Sequence, residues 1–188
     1  MPRISNCESR VRDVCESIPR PCPAAAAAAR ARQATLTKPP GSLGRLEEIS
    51  VQLAAMIGQP RPRLGRKVVF TLAGDHGVVA EGVSAFGQEV SVQMVANFLS
   101  GGAAVCVLAR QAGADVVVAD LGLAGEVPGD TSGLRHCRVA DGTANLATGP
   151  AMTREQMWEA VCAGLDLVAG ERDLGLAATG EMGIGNTT

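Results

Sequence analysis

Two rhythms of apolar and polar positions run along this chain. Short β-rich apolar runs at Val68-Val-Phe-Thr-Leu-Ala73, Asp115-Val-Val-Val-Ala-Asp120 and Leu174-Gly-Leu-Ala-Ala-Thr179 predict buried strands, with Leu134 to Val139 as a further short one. Between them lie helical patterns. One runs from Val90 to Leu99, Gly101-Gly102 interrupts it, and a small-residue helix continues from Ala103 to Ala112. Another follows Thr153-Arg-Glu-Gln156, which has the hydroxyl and the amide of a capping box, and ends near Gly170. Upstream, Ala24 to Ala29 is a strong helix former, and the turn Thr37-Lys-Pro-Pro-Gly-Ser42 cannot be helical throughout. Ser42 is the expected N-cap of a helix whose apolar stripe is Leu43, Leu46, Ile49, Leu53 and Ile57.

Strands alternating with helices mean a parallel, helix-covered sheet, so the expected fold is α/β: a Rossmann-like parallel sheet with a smaller N-terminal helical part. The proline-bearing basic linker Gln59 to Lys67 marks the division, with residues 1–60 in the helical part and 61–188 in the α/β domain. A final strand with no crossover helix leaves a face uncovered. The expectation is therefore a domain incomplete at its C-terminus.

Composition narrows the function classes. The aromatics are Phe70, Phe86, Phe98 and Trp158, with no tyrosine, and the net charge is −2. Neither suits a nucleic-acid partner, which calls for stacking platforms or a basic face. No single apolar run approaches the ~20 residues of a membrane span, and the charged N-terminus lacks a signal-peptide core, so a cytoplasmic protein is expected. The six cysteines contain no C-x-x-C pair and only two histidines accompany them. Neither a metal site nor a disulfide framework is expected, and Cys106 and Cys162, inside helical patterns, read as small core residues.

Candidate chemistry sits at the carboxyl ends of strands, where open α/β sheets bind ligands. Gly74-Asp-His-Gly77 follows the first strand; Asp75 could orient a substrate hydroxyl or hold a neighbouring donor, and His76 could be an acid, a base or a hydrogen-bonding group. A turn in which both are merely satisfied is equally compatible. Phe86 and Met94 would wall a flat apolar ligand, although core packing is the reading their residue types favour. The loop Gly180-Glu-Met-Gly-Ile-Gly-Asn-Thr-Thr188 can bring backbone N–H groups close to an anion. It is neither the dinucleotide G-x-G-x-x-G nor a P-loop. Glu181 within it would repel a phosphate and suits ribose hydroxyls or a cationic ring.

Lys38-Pro-Pro-Gly-Ser-Leu-Gly-Arg-Leu-Glu47, Gly74-Asp-His-Gly-Val78, Gln93-Met-Val-Ala-Asn-Phe98, Gly101-Gly-Ala-Ala104, Gly149-Pro-Ala-Met-Thr153 and the last nine residues occur in this order. Together they resemble the nicotinate-nucleotide–dimethylbenzimidazole phosphoribosyltransferases over Leu36 to Thr188. The resemblance implies transfer of phosphoribose from nicotinate mononucleotide to 5,6-dimethylbenzimidazole, giving α-ribazole 5′-phosphate and nicotinate in cobalamin biosynthesis, with no cofactor or metal, in a homodimer. It also implies that Glu181, Gly183, Gly185, Asn186 and Thr187 serve the phosphate and ribose, that Phe86 and Met94 meet the aromatic base, and that Asp75 and His76 shape the pocket floor. The family's principal catalytic glutamate matches nothing in residues 1–188 and is expected beyond Thr188, leaving Glu181 a supporting role. Two departures stand out: Gly87 where proline is usual, and Asp141 where arginine is common. The alternative expectation is a non-catalytic α/β module that binds a nucleotide or benzimidazole without turning it over.

Overall fold

The computed structural model describes residues 2–188, with side-chain surroundings from Asn6 onward. The chain forms two compact units, residues 12–64 making up one and residues 65–188 with the first 11 making up the other.

In the smaller unit, α2 (Pro23–Thr35) packs on α3 (Arg45–Ile57). Proline at the first position suits a helix start, since its missing N–H would have had no partner there. The contact is made by Ala26 and Ala29 against Val51 and Ala54, small side chains that let two backbones approach closely. The expected apolar stripe is not what faces α2: Leu43, Leu46, Ile49 and Ile57 are all exposed. Ser42 is not the N-cap either. Pro39 to Gly44 turns first, and Gly44, at φ +54°, is the cap, a backbone conformation that a serine side chain resists.

The larger unit is built on four parallel strands in the order β3-β2-β1-β4: β1 (Arg66–Gly74), β2 (Asp115–Gly122), β3 (Leu134–His136) and β4 (Leu174–Met182). The Rossmann-like parallel sheet read from the sequence is thus the observed architecture. Alternate residues of β1 and β2 feed two cores. Val68, Phe70, Val117 and Ala119 meet Leu167 of α6 (Arg154–Ala169). Ala73 and Val118 meet Val95 and Phe98 of α4 (Glu89–Leu99) and Cys106 of α5 (Ala104–Ala112). Burial on both faces is why these strands read as continuous apolar runs.

Four features differ from the sequence reading. Residues 89–112 together are long and apolar enough for a membrane span, but the chain breaks at Gly101 (φ +76°), and the two helices bury Val95, Phe98, Cys106 and Ala109 in the domain. β4 is not a buried strand: Gly175 to Thr179 are exposed, and β4 lies at the sheet's edge with β1 as its neighbour. α1 (Pro2–Ser17) lies in the stretch read as the N-terminal helical part, yet residues 1–11 group with the larger unit. Cys162 is buried, as a core residue would be, yet it is disulfide-bonded to Cys7 of α1. The two are 155 positions apart, and no local spacing could reveal that pairing.

The capping box of α6 is complete. Thr153 Oγ1 accepts the Gln156 N–H at 3.2 Å, and Gln156 Oε1 accepts the Thr153 N–H at 2.8 Å.

Candidate functional site

The sheet order sets the location. From β1 the chain crosses to β2 and then β3 on one side, whereas α6 carries it back to β4 on the other, so the loops after β1 and β4 diverge from neighbouring strands. That is the topological switch point at which open α/β sheets form ligand crevices. Both sequence motifs lie there: Asp75 and His76 leave β1, and Gly183 to Thr188 leave β4.

Asp75 is a framework group. Its carboxylate is buried; Oδ1 accepts the Ser91 hydroxyl of α4, and Oδ2 accepts the Ala124 N–H at 3.0 Å. Its backbone is held as well, its N–H donating to Gly122 O at 2.8 Å and its carbonyl accepting the Thr143 N–H at 2.9 Å. Of the two roles open to Asp75, this geometry matches a carboxylate that holds neighbouring donors, since both of its oxygens are already accepting. Ser91 passes the connection on, because its Oγ also accepts the Ile184 N–H of the glycine-rich loop at 3.1 Å.

His76 joins the two motifs directly. Its Nε2 is hydrogen-bonded to Asn186 Oδ1. Gln88 clamps the other end by donating its amide to His76 O at 3.1 Å. The loop itself turns tightly, with the Asn186 N–H on Gly183 O at 3.1 Å. Two of its glycines are required by contact. A Cβ at Gly183 would strike the carbonyl oxygen of Gly74, and Gly185, at φ +98°, lies against His76 and Val79.

The other expected site residues are spread around this centre. Glu181 is exposed on β4, in register with Leu72, and its side chain has no partner among the described residues. Thr187 is exposed. Phe86 is 64% exposed, which removes the core reading for it, whereas Met94 packs against the α4–α5 core. Gly87 has ordinary φ, and its nearest neighbour is the flexible carboxyl end of Glu89. Asp141 accepts from Arg138 Nη1 at 3.2 Å. Arg138 also grips the buried Asp120, and that hydrogen bond is the main cause of its raised pKa. Asp120 in turn accepts the N–H groups of Gly122 and Leu123, fixing the end of β2. The carboxylate at Asp141 therefore has its cation beside it.

A small apolar cavity of about 180 Å³ lies on the α6 side of β1 and β2, lined among others by His76, Leu121, Val139 and Met152. No cluster of three or more His, Cys, Asp or Glu side chains able to hold a metal occurs among the described residues.

Ser91, Gln88 and Ala124 were not singled out from the sequence. Gln88 and Ala124 act through backbone contacts that only the tertiary structure brings together. Ser91 did carry a signal: with Val95 and Phe98 it shares the buried stripe of α4, and a hydroxyl on such a stripe calls for a partner.

A family model described as DBI_PRT, phosphoribosyltransferase, matches residues 18–188. A nicotinate-nucleotide–dimethylbenzimidazole phosphoribosyltransferase of Desulforamulus reducens is 58% identical over 163 residues, covering 85% of this chain and 46% of that protein. The Geobacter sulfurreducens protein of the same name is 53% identical over 178 residues, covering 92% and 50%. The crystal structure of CobT from Thermus thermophilus superposes with a TM-score of 0.80 at 51% identity, over 87% of this chain and 49% of that one. The chain spans about half the length of the curated relatives it matches.

Proposed function

The chain belongs to the DBI_PRT phosphoribosyltransferase family, and from that premise we propose that it takes part in moving phosphoribose from nicotinate mononucleotide to 5,6-dimethylbenzimidazole. The products are α-ribazole 5′-phosphate and nicotinate. The observation that carries the reading is the His76–Asn186 hydrogen bond, which joins the loops after β1 and β4 at the switch point.

The chemistry asks little of the protein beyond position and one proton acceptor. The leaving nicotinate starts as a cationic pyridinium, so its departure neutralises charge and needs no strong acid. One benzimidazole nitrogen attacks through its free lone pair, and the N–H at the other ring nitrogen must then give up its proton. In this proposal the Gly183–Thr187 loop faces the phosphate and ribose, with Asn186 set by His76. Glu181 meets ribose hydroxyls or the pyridinium, and Phe86 and Met94 lie against the benzimidazole. Asp75 acts behind them, and the principal base is a glutamate outside residues 1–188. The exposure of Phe86 and Glu181 supports these roles, since both are free to meet a ligand. Assembly as a cytoplasmic homodimer is part of the same reading, supported by the exposed apolar residues Leu43, Leu46 and Ile49 of α3 and the turn before it.

Steady-state kinetics of the full-length protein test the assignment. Glu181→Ala is expected to raise KM for nicotinate mononucleotide, or lower kcat, by tenfold or more, an effect of about 1.4 kcal/mol. Phe86→Ala is expected to raise KM for dimethylbenzimidazole alone. Unchanged constants in Glu181→Ala would remove the β4 loop from the site.

A further inference from the structure

Ser91 is fully buried in the first turn of α4, on the stripe that otherwise presents Val95 and Phe98 to the core. A hydroxyl has one proton and two lone pairs. The proton goes to Asp75 Oδ1, which leaves a lone pair aimed at the Ile184 N–H, 3.1 Å away. Asp75 cannot rotate to release it, because its other oxygen holds the Ala124 N–H at 3.0 Å. The carboxylate at the end of β1 therefore fixes the hydroxyl of α4, and that hydroxyl fixes the middle of the loop after β4. The loop's far end is held separately, by His76 on Asn186.

We propose that Ser91 is a positioning residue for the phosphoribosyl donor, setting the Gly183–Asn186 turn through the relay Asp75–Ser91–Ile184. The assignment rests on the phosphoribosyl-transfer reading above. With the Ile184 N–H held by Ser91 and the Asn186 N–H held by Gly183 O, the loop keeps one conformation before the donor arrives. Its cost of ordering is met in the free protein. Without the Ser91 oxygen, the half-buried Ile184 N–H loses its acceptor and the turn can rotate to find another, so the donor must reorder it. The apolar contacts of Val95 and Phe98 lie on later turns and do not depend on this hydroxyl.

The test uses the full-length protein, steady-state kinetics and deuterium uptake in the segment 183–188. Ser91→Ala is expected to raise KM for nicotinate mononucleotide roughly tenfold, with KM for dimethylbenzimidazole within about twofold of wild type. Uptake in 183–188 should quicken while α4 stays protected. Ser91→Thr, which keeps the hydroxyl, should restore both. If Ser91→Ala does not fold, Ser91→Cys replaces it, close in size but a weak acceptor. Equal loss on both substrates, no change on either, or unaltered uptake overturns the proposal. A wild-type protein that transfers no phosphoribose would bring down the functional reading instead. Ser91 is then judged by the concentration of inorganic phosphate that slows uptake in 183–188: a roughly tenfold rise in Ser91→Ala supports the relay, and the same concentration in both, or no response in wild type, overturns it.

Discussion

At the scale of single residues, the end of β1 depends on a buried carboxylate. Asp75 gathers the fully buried Ser91 hydroxyl and the part-buried Ala124 N–H, two donors from separate elements. Asp75→Ala strands the Ser91 hydroxyl, while the Ala124 N–H, on an exposed residue, can turn to water. An unsatisfied buried donor costs about 1–3 kcal/mol, so the substitution should destabilise the fold by about 2 kcal/mol. Denaturant unfolding of the full-length protein would measure this. A loss below about 1 kcal/mol would mean that the hydroxyl finds another partner. The sequence drew attention to Asp75 and His76 because of where their strand ends, and it left several roles open for each. The structure narrows Asp75 because burial and partner count are properties of the packed molecule. The same holds for Phe86, whose residue type favoured the core but whose loop leaves it in the open.

At the scale of elements, legibility followed local physics. Where the cause of an element lies within a few residues, the reading was close: the capping box of α6, the break at Gly101-Gly102 and the apolar runs of β1 and β2 all act locally. Where the cause is a distant neighbour, it was not. The start of α3 is the exception, a local cause that the residue type misplaced. Serine is a good cap in general, but here the turn is closed by Glu47, whose Oε1 accepts the Leu43 N–H at 3.2 Å and the Lys38 ammonium at 2.7 Å. Lys38 thus already has its own anion. The Lys38 hydrogen bond, followed by that from Leu43, lowers the Glu47 pKa below its ordinary 4.5. A carboxyl lowered in the folded state contributes stability that is fully present above the ordinary value and is lost as pH falls through the lowered one. Glu47→Gln should therefore melt below wild type at neutral pH, and the gap should narrow on acidification through and below pH 4.5. Thermal melts of both proteins across that range would show it; a gap that does not change with pH would mean the carboxylate's charge is not what holds the turn.

At the scale of the whole molecule, the arrangement of strands was readable and the long-range links were not. Alternation of strand and helix dictates a parallel sheet, and the sheet's handed connections put both loops at one edge. The Cys7–Cys162 bond follows from no such rule, since six cysteines without a paired spacing allow many connections and the residue types favoured a core thiol for Cys162. Its consequence is concrete. The bond ties α1 to α6 across 155 positions, and closing so long a loop restricts the unfolded chain by about 4–5 kcal/mol in the chain-entropy account. Near the bond, Arg10 pairs with Asp166, but that pair is exposed and contributes little by comparison. Oxidised protein should therefore melt several degrees above protein kept in reductant, and Cys7→Ser should remove the difference without altering the reduced melting temperature. Peptide mapping without reductant should recover the Cys7 and Cys162 peptides as one species. Separate peptides, or equal melting with and without reductant, would mean that α1 is held to α6 by packing and ion pairs alone.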